Sequence, residues 1–194
     1  MKPNRVEALS DGMIAIIITI MVLEMRPPES ADLASITSLI PVLLVYTLSF
    51  VMLGIYWNNH HHLFQATKEV NASIMWGNLH LMFWLSLVPF ATNWVGEQPG
   101  EASPTAIYGI IMIGAGMAYT VMQSSIVAHH KDDKTLKELL GKNRKGIVSM
   151  AGHIIATVLA FYNPWFSYVL FAAIALMWVI PDRRIEGSLT QAGS

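Results

Sequence analysis

No cysteine occurs anywhere in the 194 residues, which removes disulfide staples, thiol nucleophiles and thiolate metal sites from consideration. Charge is nearly as scarce: Asp, Glu, Lys and Arg make up 13% of the chain, against roughly 25% in ordinary soluble domains. The few charges also balance, 12 Lys and Arg against 13 Asp and Glu. With no basic surplus to neutralise phosphates, nucleic acid is excluded as a partner. The N-terminal apolar run carries Arg5, Glu7 and Asp11 ahead of it and no small-residue cleavage site follows, so it reads as a retained membrane helix rather than a signal peptide.

What fills the chain instead is apolar sequence, 54% of all residues, gathered into stretches of about 20 that match the length needed to cross a bilayer as a helix. Six such stretches are expected, over 5–25, 33–57, 71–95, 105–128, 146–162 and 164–181, giving an all-α membrane protein with one six-helix domain over 1–186 and a disordered tail over 187–194. The connections alternate in character. Pro27 to Asp32 and Gly96 to Glu101 are acidic turns, whereas His129 to Lys145 holds Lys131, Lys134, Lys137, Lys142, Arg144 and Lys145. Of the 12 basic residues only Arg26 lies on the acidic side, so the positive-inside rule puts both termini in the cytoplasm. The basic 4–5 connection reads first as a solvated amphipathic loop helix and topology signal, and second as a lipid-headgroup or regulatory site.

Several polar residues interrupt the apolar pattern near the cytoplasmic side: Ser10 and Asp11 on helix 1, Trp57 to His62 at the end of helix 2, and Asn78 and His80 on helix 3. Buried polar groups must find partners. A shared network of Ser10, Asp11, Trp57, His60, His61 and Asn78 is the economical solution, with Arg5 either completing it or sitting at the cytoplasmic mouth. Three consecutive histidines point about 100° apart on a helix, so they cannot chelate one ion from a single helix and no metal site is expected. Glycines 109, 114 and 116 with Ala118 read as small-residue packing between membrane helices.

Asp11 is a fixed anion paired to a neighbouring helix, a proton carrier, or a lure for cations at a pore mouth; helical geometry favours the first. Relative to Ile16, Asp11 projects about 140° away, while Gly12, Thr19, Ile20 and Leu23 fall within roughly 60° of it. One face of helix 1 thus carries the polar anchor and another carries Ile16, Thr19 and Leu23. That second face is either core, lipid contact or pore lining.

The segment Arg5-x-x-x-Leu9-Ser10-Asp11 resembles the Arg-x-x-x-Phe-Ser-Asp signature that opens helix 1 in the transmembrane protein 175 family of potassium channels. Val22-Leu23-Glu24, Trp57-x-x-His60-His61, and Asn78-Leu79 through Pro89-Phe90-x-Thr92 extend the likeness over helices 1 to 3, with spacing and the basic 4–5 connection carrying it onward. Leu9 stands in place of the usual Phe and Ala91 where a second proline is common. The resemblance implies a prokaryotic plasma-membrane channel in which a single six-helix repeat forms a homotetramer. It also implies that four copies of helix 1 line the pore, with Ile16 as the first hydrophobic ring and Thr19 and Leu23 beyond it.

No Thr-Val-Gly-Tyr-Gly loop is present, so selectivity cannot come from a cage of backbone carbonyls. A dry isoleucine constriction would instead penalise sodium, the more strongly hydrated ion, giving a modest preference for potassium and a gate that closes by dewetting. Potassium is then the permeant ion, no cofactor is required, and the partners are other copies of the chain and the bilayer. Two rivals remain in view. A proton-coupled transporter would use Asp11 and the histidines; an intramembrane hydrolase would need Ser10 beside His60 or His61, but adjacent Ser and Asp point apart and no oxyanion donor is identifiable.

Overall fold

The computed structural model describes residues 2–28, 30–131 and 144–179. The body of the expected loop helix between Lys131 and Lys145 and the expected disordered tail over 187–194 lie outside them. All regular structure within these residues is helical: α1 Asn4–Leu23, a 3-10 segment Leu33–Leu39, α2 Ile40–Gln65, α3 Ala72–Ser86, α4 Val88–Glu97, α5 Ala102–His129, α6 Arg144–Leu159 and α7 Pro164–Val179. Four stretches, Asn4–Leu23, Ser35–Gln65, Ala72–Glu97 and Ala102–His129, are long and apolar enough to cross a membrane. The helices α6 and α7 have 16 residues each, about 24 Å at the usual helical rise. They fold back on one another through a turn in which the Asn163 amide donates to the Leu159 carbonyl and the Asn163 side chain accepts from the Trp165 amide. Ile147, Phe161, Phe166, Val169 and Leu176 are exposed on the outer surface of this pair. Such an exterior suits lipid rather than water, where a patch of this kind is rare.

Two elements differ from the sequence expectation. The second helix opens as a 3-10 segment, with Pro41 in the first turn of α2, where a missing N–H leaves no bond unmade. It then continues eight residues past Trp57, where the second stretch was expected to end, to Gln65, so Asn58 to His62 occupy helical positions. The third span breaks at Leu87 into α3 and α4, because Pro89 supplies no amide for the carbonyl four residues before it.

The bundle is organised around α5, which lies against α3 on one side and α6 on another, while α4 packs on both α2 and α5 and α7 closes on α6. Small residues permit the close approach. A methyl group at Gly77 would lie 3.0 Å from the Met122 Cα, and one at Gly114 would overlap the Trp84 ring. The helix α1 rests on α2, α3 and α4 at the edge of this body. Its inner face is Val6, Ser10, Ile14, Ile17 and Met21, all buried at helical spacing, and its outer face is covered by nothing among the described residues.

Replacing Gly114 by Val should force Trp84 out of its place between α3 and α5. We expect a loss of about 1–3 kcal/mol, the range for overpacked cores, read as a lowered melting temperature of the purified protein; unchanged melting would show that the two helices can separate at no cost.

Candidate pore helix and its polar clamp

Two polar ladders hold α1 from behind. The first is buried and neutral. Ser10 Oγ donates to the Val6 carbonyl at 2.9 Å and accepts from Asn78 Nδ2 at 3.0 Å, and Asn78 Oδ1 in turn accepts from His60 Nε2 at 2.8 Å. Ser10, Asn78 and His60 are all inaccessible to solvent. Because an amide oxygen can only accept, Nε2 must carry the proton, and His60 Nδ1 is left bare and without a partner. The His60 ring stacks on Phe64 with centroids 4.5 Å apart, which fixes its plane.

The second ladder is half-buried and carries the carboxylates. Trp57 Nε1 donates to Asp11 Oδ1 at 2.9 Å, and one turn away His61 Nδ1 donates to Glu7 Oε1 at 2.7 Å. Gln65 meets the other ring nitrogen of His61 at 2.8 Å, and Trp57 stacks on the His61 ring with an interplanar angle of 15°. The pattern follows from antiparallel helices read at a spacing of four. Glu7 and Asp11 lie on one stripe of α1 and Trp57, His61 and Gln65 on one stripe of α2, so the earlier residue on α1 meets the later one on α2.

Ser10, Asp11, Trp57, His60, His61 and Asn78 therefore come together. Arg5 does not: its side chain is exposed and joins none of these contacts. His80 turns away from the layer and accepts from Trp84 Nε1 at 3.0 Å on the exposed side of α3. The consecutive histidines diverge, His60 toward Asn78, His61 toward Glu7, and His62 with its ring beside that of His61 and its Nδ1 unpartnered. Glu7 and Gln65 were not singled out from sequence, although their spacing of four from Asp11 and His61 was the available signal.

On the other side of α1, Ile16 is 58% exposed and Leu23 82%, with Gly12 and Thr19 on the same stripe. Nothing lies within 4 Å of a methyl group built on Gly12. Thr19 Oγ1 donates to the Ile16 carbonyl at 2.8 Å, so its proton is committed to the backbone and its lone pairs face outward. At the end of the stripe Glu24 has one carboxylate oxygen shut away without a partner.

A lipid-facing helical bundle that grips its first helix by the back and leaves the front bare has the form of a multi-span membrane protein built to bring that helix against something outside the chain. A family model described as the endosomal/lysosomal potassium channel TMEM175 matches residues 5–89. A potassium channel of Chryseobacterium sp. (strain P1-3) is 45% identical over 191 residues, covering 98% of this chain and 100% of that one. A potassium channel of Streptomyces collinus is 29% identical over 129 residues, 62% of this chain and 63% of that one. The crystal structure of a lysosomal potassium-selective channel TMEM175 homolog from Chamaesiphon minutus has the same fold, with a TM-score of 0.78 over 92% of this chain and 96% of that chain at 23% identity. The chain belongs to the TMEM175 family of ion channels, and it is not an enzyme.

Substituting Asn78 by Ala should strand the His60 N–H and remove the link to Ser10. An orphaned buried donor costs about 1–3 kcal/mol, so the melting temperature should fall while secondary structure by circular dichroism is retained. A variant as stable as the parent would show that the buried ladder does not hold α1.

Proposed function

We propose that this chain is the subunit of a homotetrameric potassium channel in which four copies of α1 surround the pore, with Ile16, Thr19 and Leu23 lining it. The observation that carries the reading is the division of α1 into a back held by two polar ladders and a bare front bearing those three residues. A helix surrounded by its own chain could not line a shared axis, and a helix free on all sides could not hold a ring of fixed diameter. Ser10, Asp11, Trp57, His60, His61 and Asn78 supply the restraint. Arg5, exposed at the start of the helix, is placed by this reading at the cytoplasmic mouth and not in the clamp. The excess of basic residues in alternate connections supports a cytoplasmic location for both termini in a prokaryotic plasma membrane.

The mechanism follows from what the front offers. Four isoleucine side chains provide no ligand for a cation, so an ion passing Ile16 must do so partly stripped or in a ring wide enough to stay wet. Potassium loses less than sodium in the first case, which gives a modest preference. Thr19 lies one turn beyond, about 4.5 Å along the axis, and its outward lone pairs can receive the ion as it leaves the dry ring. Narrowing the ring expels water and closes the path, so filter and gate are the same residue. The names of the Chryseobacterium and Streptomyces relatives support potassium as the permeant ion.

Purified protein in planar bilayers, with opposed potassium and sodium gradients, provides the test. The parent should reverse toward the potassium potential; Ile16→Asn, whose ring stays hydrated, should carry several-fold more current and lose most of the preference. Equal selectivity and conductance in parent and variant would remove Ile16 from the constriction, and flux coupled to a proton gradient would replace the channel by a transporter.

A further inference from the structure

Behind the clamp, α2 stands away from the rest of the bundle. Its backbone packs on α1, α4 and α7, while it meets α5 through side chains: Ser49 lies 3.2 Å from the Tyr108 hydroxyl, Tyr119 donates to the Asn59 carbonyl at 3.2 Å, and the Tyr56 and Tyr119 rings meet edge on. The gap is a partly open slot bounded by Tyr56 and Met52 on α2, Met112 and Gly116 on α5, Met150 on α6 and Trp178 on α7. Along α5 it runs from Met112 to Thr120, about 12 Å at the helical rise.

Three features identify what fits there. First, most polar side chains along the slot are already engaged: Asn59 Nδ2 donates to the Ile55 carbonyl, Thr120 Oγ1 to the Gly116 carbonyl, His153 Nδ1 to the Ser149 carbonyl, Tyr119 to the Asn59 carbonyl across the slot and Trp178 Nε1 to Ser149 Oγ, which leaves His153 Nε2 as a buried nitrogen without a partner. The walls that remain are methionine, aromatic ring and methyl groups, which suit a flexible apolar occupant more than water. Second, no carboxylate among the described residues lines the slot. Third, the end formed by the start of α6 is cationic: Lys145 Nζ lies 5.8 Å from the centre of the Trp178 ring, and Arg144 beside it in sequence is exposed.

We propose that this slot binds one anionic glycerophospholipid of the surrounding leaflet, an acyl chain entering beside Tyr56, Met150 and Trp178 and the phosphate held at Lys145 and Arg144. A basic rim over an apolar gap between membrane helices is the physical form of an anionic-lipid site. The occupied slot backs the stretch of α2 that carries Trp57, His60 and His61, so the lipid would brace the clamp from behind. The assignment requires the chain to be membrane-embedded but does not depend on which helix lines the pore; a failed bilayer recording therefore leaves it standing, and its own failure leaves the channel reading standing.

Native mass spectrometry of the purified protein with dioleoyl phosphatidylglycerol or dioleoyl phosphatidylcholine tests it. The parent should retain phosphatidylglycerol in preference to phosphatidylcholine, and the double variant Arg144→Ala/Lys145→Ala should bind it about 30-fold more weakly, near fivefold for each charge removed. Gly116→Leu and Met150→Phe, which fill the slot and keep both charges, should also lose the lipid. Equal retention of the two lipids overturns the proposal, as does full retention by both slot-filling variants, which would reduce the contact to surface charge. A readout independent of the filling variants is quenching by phosphatidylglycerol brominated in its acyl chains: the quenched share of tryptophan emission should fall in Trp178→Phe, and an unchanged share would place the chain elsewhere.

Discussion

The arrangement of this bundle turns on α1 being fastened on one side only. The fastening is made of hydrogen bonds because an apolar helix in lipid has no hydrophobic reason to prefer one neighbour or one rotation over another. Ser10 to Asn78 and Asp11 to Trp57 set the rotation of α1 about its axis, and Glu7 to His61 repeats the restraint one turn earlier. Rotation of the helix by a single residue, about 100°, would withdraw these partners and carry Ile16 away from the free face. The polar ladders and the bare apolar stripe are two consequences of one orientation.

The two ladders divide the work by environment. The Ser10, Asn78 and His60 ladder is dry and uncharged, so it adds specificity without the penalty of burying an ion. The carboxylates of Glu7 and Asp11 sit in the half-buried ladder nearer the surface of the single chain, where an indole and an imidazole N–H meet them. A Pro-induced break at Leu87 lets α3 and α4 turn independently, so that α3 can present Asn78 to α1 while α4 packs on α2 and α5. Further out, Thr92 donates to Ser49 at 2.7 Å and Ser49 lies 3.2 Å from the Tyr108 hydroxyl, a third buried polar tie that joins α4, α2 and α5. The buried polar residues in these ladders and ties therefore lie at helix seams.

Most of the architecture was legible in the chain because hydrophobic length is read directly by a bilayer-sized ruler. The helices at Asn4, Ala72, Ala102, Arg144 and Pro164 begin within three residues of where composition places the first, third, fourth, fifth and sixth stretches. The end of the second was misplaced because Asn58 to His62 are polar, and polarity near a membrane surface resembles a loop; burial of His60 against Phe64 and Asn78 is what keeps that stretch helical. The interruption at Leu87 was signalled by Pro89 but overridden by the continuous apolar character on both sides.

For the candidate site, sequence periodicity alone determined that Asp11 and Ile16 lie on different faces of one helix, since a fixed angle per residue leaves no freedom in that matter. The order of the helices also brought Ser10 and Asp11, Trp57 to His62, and Asn78 toward one end of the bundle. Only the tertiary structure decided which of them meet: His60 and not His80 reaches Asn78, Glu7 takes the second histidine, and Arg5 is left outside. Those choices depend on the crossing and rotation of separate helices, which are set by close contacts such as Gly77 against Met122 and Gly114 against Trp84. No local pattern along the chain encodes them, because the contacting residues are brought together only when the whole bundle has packed.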